Sequence, residues 1–270
     1  MSTASDSPSA STQDLGPLLR DRVAVVTGGS RGIGAGIAAA LVRAGATVVI
    51  SGRSEETLEQ TAKEIGATAV VADAAEIQSA GEPVRQAIER FGGIDILVNN
   101  VGGSAGGNPN LFKGDAAEDD GFEANLRLNL TAAYWPTKAA VHSMRERGQG
   151  RVINIGSGAS KHAAASPAYT AAKHGLIGLT KQLALDLAQH RITVNCVCPG
   201  WTQTDLVDFD ALGAMQGISA TEARQSAEGE SAQRRILEPA ELGPMCVLLA
   251  SGGGGPITGQ VIGVDGGYRL

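Results

Sequence analysis

The chain has 270 residues, of which 43% are hydrophobic and 19% charged, a composition typical of a globular protein with a buried core. Its 28 acidic and 22 basic side chains give a formal net charge of −6, which argues against a nucleic-acid partner because such a surface normally carries a basic excess. No apolar run approaches the roughly 18 residues of a membrane span, so we expect no membrane partner.

The amino-terminal segment and the cysteines indicate where the protein works. Residues 1–13 are rich in Ser, Thr and Ala and lack the basic start and apolar stretch of a secretory signal. We expect residues 1–19 to form a disordered tail. Cys196, Cys198 and Cys246 lack metal-ligand spacing, so we expect no metal site and buried free thiols, as in a reducing cytoplasm.

From residue 20 onward, short β-branched runs alternate with helical stretches. Strands are predicted over 23–27, 47–50, 68–72, 94–98, 152–155, 192–197 and 261–264. Helices are predicted between them: one ending at Gly45, one capped by Ser54, one with Pro83 in its first turn, and further helices over 122–147 (kinked at Pro136), 167–189 and 239–249. The alternation predicts one doubly wound Rossmann domain over residues 20–270, a seven-stranded parallel sheet with helices on both faces.

A glycine-rich loop stands where the first strand turns into the first helix, and it reads Thr27-Gly28-Gly29-Ser30-Arg31-Gly32-Ile33-Gly34. Its glycines allow a tight turn and the close approach of a pyrophosphate, and the helix amino terminus offers free N–H groups to phosphates. The pattern predicts nucleotide binding, with a plain glycine-rich turn as the alternative. The expected contacts are Gly28, Ser30, Arg31, Gly32, Ile33 and Gly34.

The end of the second strand distinguishes NADP from NAD. An acid there would bond the ribose hydroxyls of NAD, but the segment reads Ser51-Gly52-Arg53-Ser54 with no acid before Glu55. Arg53, with Ser54 beside it, offers a guanidinium to a 2′-phosphate, and Arg31 offers a second cation. The alternative is two solvated surface arginines. We predict NADP(H) as the cofactor.

A tyrosine and a lysine four residues apart in the predicted helix 167–189 suggest acid–base chemistry. The side chains of Tyr169 and Lys173 share a helix face at this spacing, and a nearby ammonium stabilises the phenolate of a tyrosine. Ser157 follows the fifth strand twelve residues before Tyr169, where its hydroxyl can hold a substrate oxygen. Such a pair alone can be a surface coincidence, but its place after the fifth strand of a nucleotide-binding sheet predicts catalysis.

On these residues the sequence resembles the short-chain dehydrogenase/reductase family from about residue 20 to residue 270. Its Asn-Asn-Ala-Gly motif matches Asn99-Asn100-Val101-Gly102, and its carboxyl-terminal signature matches Gly259 with Val264-Asp265-Gly266-Gly267. The catalytic tetrad of the family maps onto Asn129, Ser157, Tyr169 and Lys173. The cofactor contacts that the resemblance adds are Asp73, Ala74, Asn100, Val101, Gly102, Tyr169, Lys173, Pro199, Gly200, Thr202 and Thr204.

The resemblance implies a mechanism. Tyr169 protonates a carbonyl oxygen, Ser157 positions that oxygen, and Lys173 holds the cofactor ribose; Asn129 holds a water that links the lysine to solvent. Val101 replaces the usual alanine, and the interval from Ser157 to Tyr169 is one residue shorter than the common thirteen. We therefore expect the loop over 158–168 to differ in shape.

Within the family the sequence is most similar to 3-oxoacyl and polyketide ketoreductases, through the stretch 172–178 and the Cys198-Pro199-Gly200 segment. This implies NADPH-dependent reduction of a ketone to a secondary alcohol, with a 3-oxoacyl, polyketide-like or other small carbonyl compound of secondary metabolism as substrate. The alternatives are an alcohol dehydrogenase that works oxidatively and a non-catalytic dinucleotide-sensing protein.

The resemblance also implies the surroundings of the substrate and an assembly. A lid over about 205–235, the loop 103–113 and His162 are expected to enclose the substrate; the lid residues that line an apolar pocket or form a packing stripe are Leu206, Phe209, Leu212 and Met215. A basic cluster for an acidic acyl carrier would consist of Arg145, Arg147 and Arg151. A homotetramer, or a homodimer, is expected to form through the two long helices, with Tyr134, Trp135, Leu179, Leu183 and Leu187 as its apolar contacts.

Overall fold

Over residues 18–105, 121–164 and 166–270, which the computed structural model describes, the chain forms a seven-stranded sheet in which every pairing is parallel. The strands are Val23–Thr27 (β1), Thr47–Gly52 (β2), Thr68–Val71 (β3), Ile96–Asn99 (β4), Gly150–Ile155 (β5), Ile192–Pro199 (β6) and Val261–Val264 (β7). Their order across the sheet is β3-β2-β1-β4-β5-β6-β7. The predicted doubly wound parallel fold is confirmed.

Helices cover both faces of the sheet. They are Gly32–Arg43 (α1), Glu55–Ile65 (α2), Glu82–Phe91 (α3), Phe122–Leu126 (α4), Ala132–Glu146 (α5), Pro167–Leu187 (α6), Phe209–Gln216 (α7), Ala220–Gly229 (α8) and Gly243–Ala250 (α9). Because side chains alternate along a strand, Ala24 and Val26 of β1 pack with α1, α2 and α9, whereas Val23 and Val25 pack with α3, α5 and α6. Each strand therefore contributes to two cores.

The predicted helix over 122–147 is interrupted. It consists of α4, a π-helical turn over Arg127–Thr131, and α5. Pro136 lies inside α5 and has no N–H to donate to the carbonyl of Ala132, and its ring crowds that carbonyl. The irregularity thus falls in the turn before the proline rather than at it, and it contains Asn129.

Other boundaries also differ from the predictions. β2, β5 and β6 are longer than expected, and the predicted helix over 167–189 ends as α6 at Leu187, followed by a 3₁₀ turn over Ala188–His190. The helix predicted over 239–249 begins as a 3₁₀ turn over Pro239–Leu242 before α9. Ser54 precedes α2 as expected, but its Oγ lies 3.1 Å from Thr57 Oγ1 and makes no capping bond to the backbone among the described residues.

The predicted tail over 1–19 extends too far along the chain. Leu19 is buried in the core beside α1, and its N–H donates to the carbonyl of Ala44 at 2.8 Å. The folded domain therefore includes this residue, because burying a leucine against α1 stabilises it there. The rest of the predicted tail, residues 1–17, lies outside the described residues.

A buried carboxylate organises the amino-terminal edge of the sheet. Asp95 precedes β4 and accepts a hydrogen bond from the N–H of Val23 at 2.9 Å, which joins β4 to β1. Arg22 and Arg147 each place a guanidinium nitrogen 3.1 Å from its oxygens. The edge opposite the glycine loop is therefore held by charge-assisted hydrogen bonds.

Two further expectations meet the structure here. The thiols of Cys196, Cys198 and Cys246 are free and buried, as predicted. In the part of the chain that the structure describes, every helix is too short or too polar to cross a membrane.

Candidate active site

Asn100 fastens the glycine loop to the end of β4. Its side-chain Nδ2 donates to the carbonyl oxygens of Thr27, at 3.2 Å, and Gly28, at 2.9 Å. Its backbone N–H donates to the Thr27 hydroxyl at 3.1 Å. The carboxyl ends of β1 and β4 therefore form one unit. Sequence reasoning treated Thr27 only as the start of the motif and missed this function of its hydroxyl, although a hydroxyl at a strand end before a glycine loop is a usable signal.

The glycine loop has the shape that a dinucleotide requires. Gly28 and Gly32 have φ values of +64° and +54°, in the left-handed region that favours glycine. A methyl group at Gly34 would overlap the Gly28 carbonyl oxygen. Arg31 precedes α1 without a side-chain capping bond among the described residues, so the first N–H groups of the helix can receive a phosphate. These residues fit the nucleotide predicted from the sequence.

The two predicted 2′-phosphate ligands are exposed arginines with weak partners. Arg31 is 63% exposed and lies 3.4 Å from Asp205; Arg53 is 76% exposed and lies 4.0 Å from Asp73. Exposed pairs of this kind contribute little, so both guanidiniums are free to turn toward an anion. A methyl group at Gly52 would lie 3.1 Å from Ser30 Oγ, which places Ser30 of the glycine loop beside the end of β2.

The expected contacts on the adenine side differ in accessibility. One carboxylate oxygen of Asp73 accepts from the N–H of Ala75 at 2.9 Å, which orients the side chain after β3. Ala74 is buried, so its contribution to a cofactor site would come from its backbone.

Gly102 brings two members of the tetrad together. A methyl group there would lie 2.9 Å from Lys173 Nζ and 3.0 Å from Asn129 Oδ1. Lys173 is 3% exposed, and its Nζ donates to the carbonyl of Ile155 at 3.1 Å. The ammonium is thus fixed at the end of β5, two residues before Ser157.

Asn129 clasps the next glycine from the π-helical turn. Its Oδ1 accepts from the N–H of Gly103 at 2.9 Å, and its Nδ2 donates to the Gly103 carbonyl at 2.8 Å. π-Helical turns are rare and recur at functional sites. One turn earlier, Asn125 Oδ1 accepts from the N–H of Ala105 at 3.2 Å, a contact that the sequence did not suggest. The side chain of Asn129 therefore positions backbone, and its predicted role in holding a water stays a prediction.

Ser157 caps a short 3₁₀ turn over Gly158–Ser160. Its Oγ accepts from the N–H of Ala159 at 3.2 Å, and its own N–H donates to Ser160 Oγ at 3.1 Å. The Ser157 hydroxyl hydrogen remains available to a substrate oxygen, because the capping bond uses only a lone pair. Ser157 therefore stands fixed at the end of β5.

Tyr169 begins α6 and shares a face with Lys173, as the spacing predicted. The N–H of Tyr169 donates to the capping hydroxyl of Ser166 at 3.2 Å, and Lys173 Nζ lies 5.8 Å from the centre of the phenol ring. The phenol is half-buried. The described part of the loop over 158–168 begins with the 3₁₀ turn at Ser157 and ends with the Ser166 cap.

Two buried thiols form the floor below Ser157. Cys196 and Cys198 project from one face of β6 with their Sγ atoms 3.8 Å apart. A methyl group at Gly156 would lie 2.8 Å from Cys198 Sγ. The hydrogen bond between the thiols lowers the pKa of Cys198, and the neighbouring Ser157 backbone lowers it further.

The segment after β6 returns to the glycine loop. Pro199 ends β6, and a methyl group at Gly200 would lie 2.7 Å from the Asp265 carbonyl oxygen. Thr202 is buried and its hydroxyl donates to the Gly200 carbonyl at 3.0 Å, so this side chain is committed to the protein. Thr204 lies against the loop, since its Cγ2 would be 3.2 Å from a methyl group at Gly32.

The apolar residues of the predicted lid divide into two groups. Leu206 is 69% exposed and lies beside Gly103, and Met215 is also exposed. Phe209 instead packs against Trp201, with ring centres 6.4 Å apart. Leu206 can therefore face a substrate, whereas Phe209 belongs to the internal packing of the lid.

The end of the chain holds the lid against the Ser157 loop, a feature that the sequence did not reveal. Glu230, after α8, accepts from Trp201 Nε1 at 2.7 Å and from Arg269 at 2.6 Å. Arg269 also donates to the Ala163 carbonyl at 2.9 Å. Burial opposes ionisation of Glu230, but these hydrogen bonds outweigh it and hold its pKa below the usual value. His162 lies beside the Tyr268 ring, at 6.0 Å between centres.

The basic cluster predicted for a carrier protein faces the wrong edge of the sheet. Arg147 bonds Asp95 before β4, and Arg151 is the second residue of β5. Tyr169 and Ser157 belong to the opposite edge, and six strand residues span about 20 Å. A carrier bound to Arg147 and Arg151 would be separated from the tetrad by the sheet, so this prediction is wrong. The loop 106–113, expected as a substrate wall, lies outside the described residues.

Known proteins share this architecture and these motifs. The family model described as short chain dehydrogenase matches residues 22–211. D-beta-hydroxybutyrate dehydrogenase of Cupriavidus necator is 34% identical over 93% of this chain and 99% of its own length. Short-chain reductase protein NovJ of Streptomyces niveus is 34% identical over 97% of this chain and 98% of its own. The structure of actinorhodin polyketide ketoreductase with NADPH matches with a TM-score of 0.83 and 34% identity, over 92% of this chain and 97% of that one.

Gly102→Ala tests the crowding between Lys173 and Asn129. The added methyl group would displace the ammonium, and we expect turnover of a ketone with NADPH to fall about 10²-fold because small misplacements of catalytic groups have large effects. Cooperative unfolding in urea should persist. The matched control is Val101→Ala, which restores the family's usual residue and should keep normal turnover; equal activity of both variants would contradict the assigned geometry.

Proposed function

The chain belongs to the short-chain dehydrogenase family, and within it we propose that the protein is an NADPH-dependent ketoreductase that converts a small carbonyl compound into a secondary alcohol. It is an oxidoreductase acting on CH–OH or ketone groups. The observation that carries the proposal is the fixed ammonium of Lys173, bonded to the Ile155 carbonyl on the helix face that bears Tyr169, two residues of β5 away from Ser157. That arrangement supports proton transfer at a carbonyl oxygen.

The tetrad residues divide the proton chemistry. Bound NADPH would supply hydride to the carbonyl carbon. Ser157 donates a hydrogen bond to the carbonyl oxygen, and Tyr169 transfers its phenolic proton to that oxygen. Lys173 stabilises the phenolate that remains and holds the ribose hydroxyls. Asn129 keeps the Gly102–Gly103 backbone in place and holds the water that links Lys173 to solvent.

Preference for NADP(H) rests on the end of β2. Arg53 and Arg31 are exposed, weakly paired cations beside Ser30 and Ser54, and the segment Ser51-Gly52-Arg53 offers no carboxylate to ribose hydroxyls. A guanidinium binds a phosphate through charge-assisted bonds. The ketoreductase structure solved with NADPH supports the same choice.

For the substrate we propose a 3-oxoacyl, polyketide-like or other small carbonyl compound of secondary metabolism. The likeness to a polyketide ketoreductase and the exposed Leu206 beside Gly103 support an extended, partly apolar substrate. The segment 205–235 would close over it as a lid. The free thiols agree with a cytoplasmic location.

Oxidation of a hydroxy compound is the second candidate, which the similarity to D-beta-hydroxybutyrate dehydrogenase favours. Reduction consumes a proton, so rising pH shifts the equilibrium toward alcohol oxidation. A non-catalytic dinucleotide sensor is not favoured, because Asn129, Ser157, Tyr169 and Lys173 are all present.

Tyr169→Phe tests the proton donor. The variant keeps the ring but loses the phenolic hydroxyl, so kcat should fall by about 10²–10⁴-fold while NADPH fluorescence titration still shows binding. Tyr134→Phe is the matched control, because Tyr134 is an exposed tyrosine of α5, and it should keep full turnover. Near-normal turnover of a good ketone by Tyr169→Phe would refute the mechanism.

Arg53→Ala combined with Gly52→Asp tests cofactor choice. Loss of a charge-assisted phosphate contact costs about 1.5–3 kcal/mol, so kcat/KM with NADPH should fall some ten- to a hundredfold and the preference should turn to NADH. Gly52→Ala is the control for the added Cβ, which lies 3.1 Å from Ser30 Oγ, and it should leave the preference unchanged. Equal kcat/KM for both cofactors in the unmodified protein would contradict the assignment.

Assembly through α5 and α6 is proposed as a homotetramer, with a homodimer as the smaller possibility. Tyr134 and Leu185 are exposed on these helices, and the other predicted apolar contacts are half-buried. Sedimentation should show four copies, and Leu185→Glu should dissociate the assembly while Phe91→Glu on α3 should not. A stable monomer at micromolar concentration would contradict this proposal.

A further inference from the structure

We propose that the protein has a second binding site, for a phosphate-type oxyanion, at the edge of the sheet opposite the tetrad. An open cavity of about 590 Å³ lies there between the start of β5 and the start of β6. We call it the arginine cavity; the lining residues that matter are Arg147, Gln149, Arg151, Arg191 and Gly255. Its volume falls within the range of about 300–1,000 Å³ that is usual for small-molecule sites.

The charge of the arginine cavity is one-sided. Three of its described lining residues are arginines and none is acidic. A smaller adjoining cavity of about 60 Å³ shares Gln149 and Arg151 with it and adds Arg22 and Asp95. Asp95 is already bonded to Arg22, Arg147 and the Val23 N–H, so one carboxylate stands among four guanidiniums. This local excess of positive charge occurs in a chain of net charge −6.

Arg151 shows that this charge is not compensated. Its guanidinium donates to the carbonyls of Gly150 at 2.8 Å, Arg191 at 3.4 Å and Ser251 at 3.4 Å, and it makes no ion pair among the described residues. Burial lowers the pKa of Arg151, and the like charge of Arg22 lowers it further, against the opposing effect of Asp95. An anion in the cavity would relieve both effects.

Arg191 completes the site from the other side. It ends the 3₁₀ turn after α6 with φ +58°, and its carbonyl accepts from the N–H of Gly150 at 3.2 Å. This backbone contact holds Arg191 beside the start of β5, while its exposed side chain makes no ion pair within the described ranges. The cavity therefore combines a buried guanidinium with an exposed one.

The chemistry of the cavity favours a multivalent phosphate. The planar guanidinium matches phosphate oxygens in pairs, and several guanidiniums around one cavity suit an anion with more than one negative charge. Such an anion would connect the starts of β5 and β6 to the residues around Asp95, and binding to the folded state alone would raise stability. The free anion and the phosphate end of a larger metabolite share this chemistry.

The site is independent of the cofactor and of the proposed function. The length of β5, about 20 Å, separates Arg151 from the loop that carries Ser157. Phosphates bound at the glycine loop would contact Arg31 or Arg53, neither of which lines the arginine cavity. Variants at the two places therefore report on different sites.

Calorimetric titration of the full chain without NADPH tests the proposal. Inorganic phosphate, pyrophosphate and ATP are titrated separately at constant ionic strength, and we expect pyrophosphate or ATP to bind with 1:1 stoichiometry at the cavity. Arg191→Gln, which removes an exposed side chain, should weaken that binding at least about tenfold, and Arg151→Gln should do the same. Arg145→Gln is the matched control, because this neighbouring exposed arginine contacts His142 and does not line the cavity.

Arg53→Ala separates this site from the glycine loop. It should leave the Arg191-dependent binding unchanged, and the anion should raise the thermal unfolding midpoint of the unmodified chain and of Arg53→Ala but not of Arg191→Gln. A stronger effect of ATP than of pyrophosphate would identify a phosphorylated metabolite as the ligand and support the site. Absence of binding, or binding lost in Arg53→Ala and kept in Arg191→Gln, would overturn the proposal.

Discussion

The hydrogen bonds that Asn100 makes to the carbonyls of Thr27 and Gly28 are the interaction on which the site depends. They join the carboxyl ends of two neighbouring parallel strands and hold the glycine loop open above them. Because the amide of Asn100 is used inside the protein, the N–H groups at the start of α1 are left to a ligand. A loop without this support would be free to collapse onto the sheet.

The tetrad follows from the same edge by close approach of backbone and side chains. Gly102 comes two residues after Asn100, and its missing side chain makes room for Lys173 and Asn129. The π-helical turn supplies Asn129, and the end of β5 supplies the carbonyl that holds Lys173. Catalytic groups from separate parts of the chain are thus oriented by backbone atoms, which move less than side chains.

Local patterns predicted the sheet, the glycine loop and the pairing of Tyr169 with Lys173, because strand alternation and helical spacing are properties of neighbouring residues. The π-helical turn could not be derived in this way, since it results from the crowding of Pro136 against the preceding turn. Long-range contacts were equally hidden. Arg147 and Arg151 are a basic cluster in the sequence, but only the fold shows that they face away from Ser157 and stand beside Asp95. The bond between Glu230 and Arg269 joins residues that no short motif connects.

That bond makes the order of synthesis matter. The glycine loop, the tetrad and the strands β1 to β6 have all been made before Arg269 leaves the ribosome, whereas the lid and the Ser157 loop gain their shared anchor only with the last residues. A growing chain can therefore assemble its nucleotide half first, as domains generally fold from the amino terminus during translation. The substrate side closes at the end of translation, so a chain that stops a few residues early would keep the nucleotide half without a fastened lid.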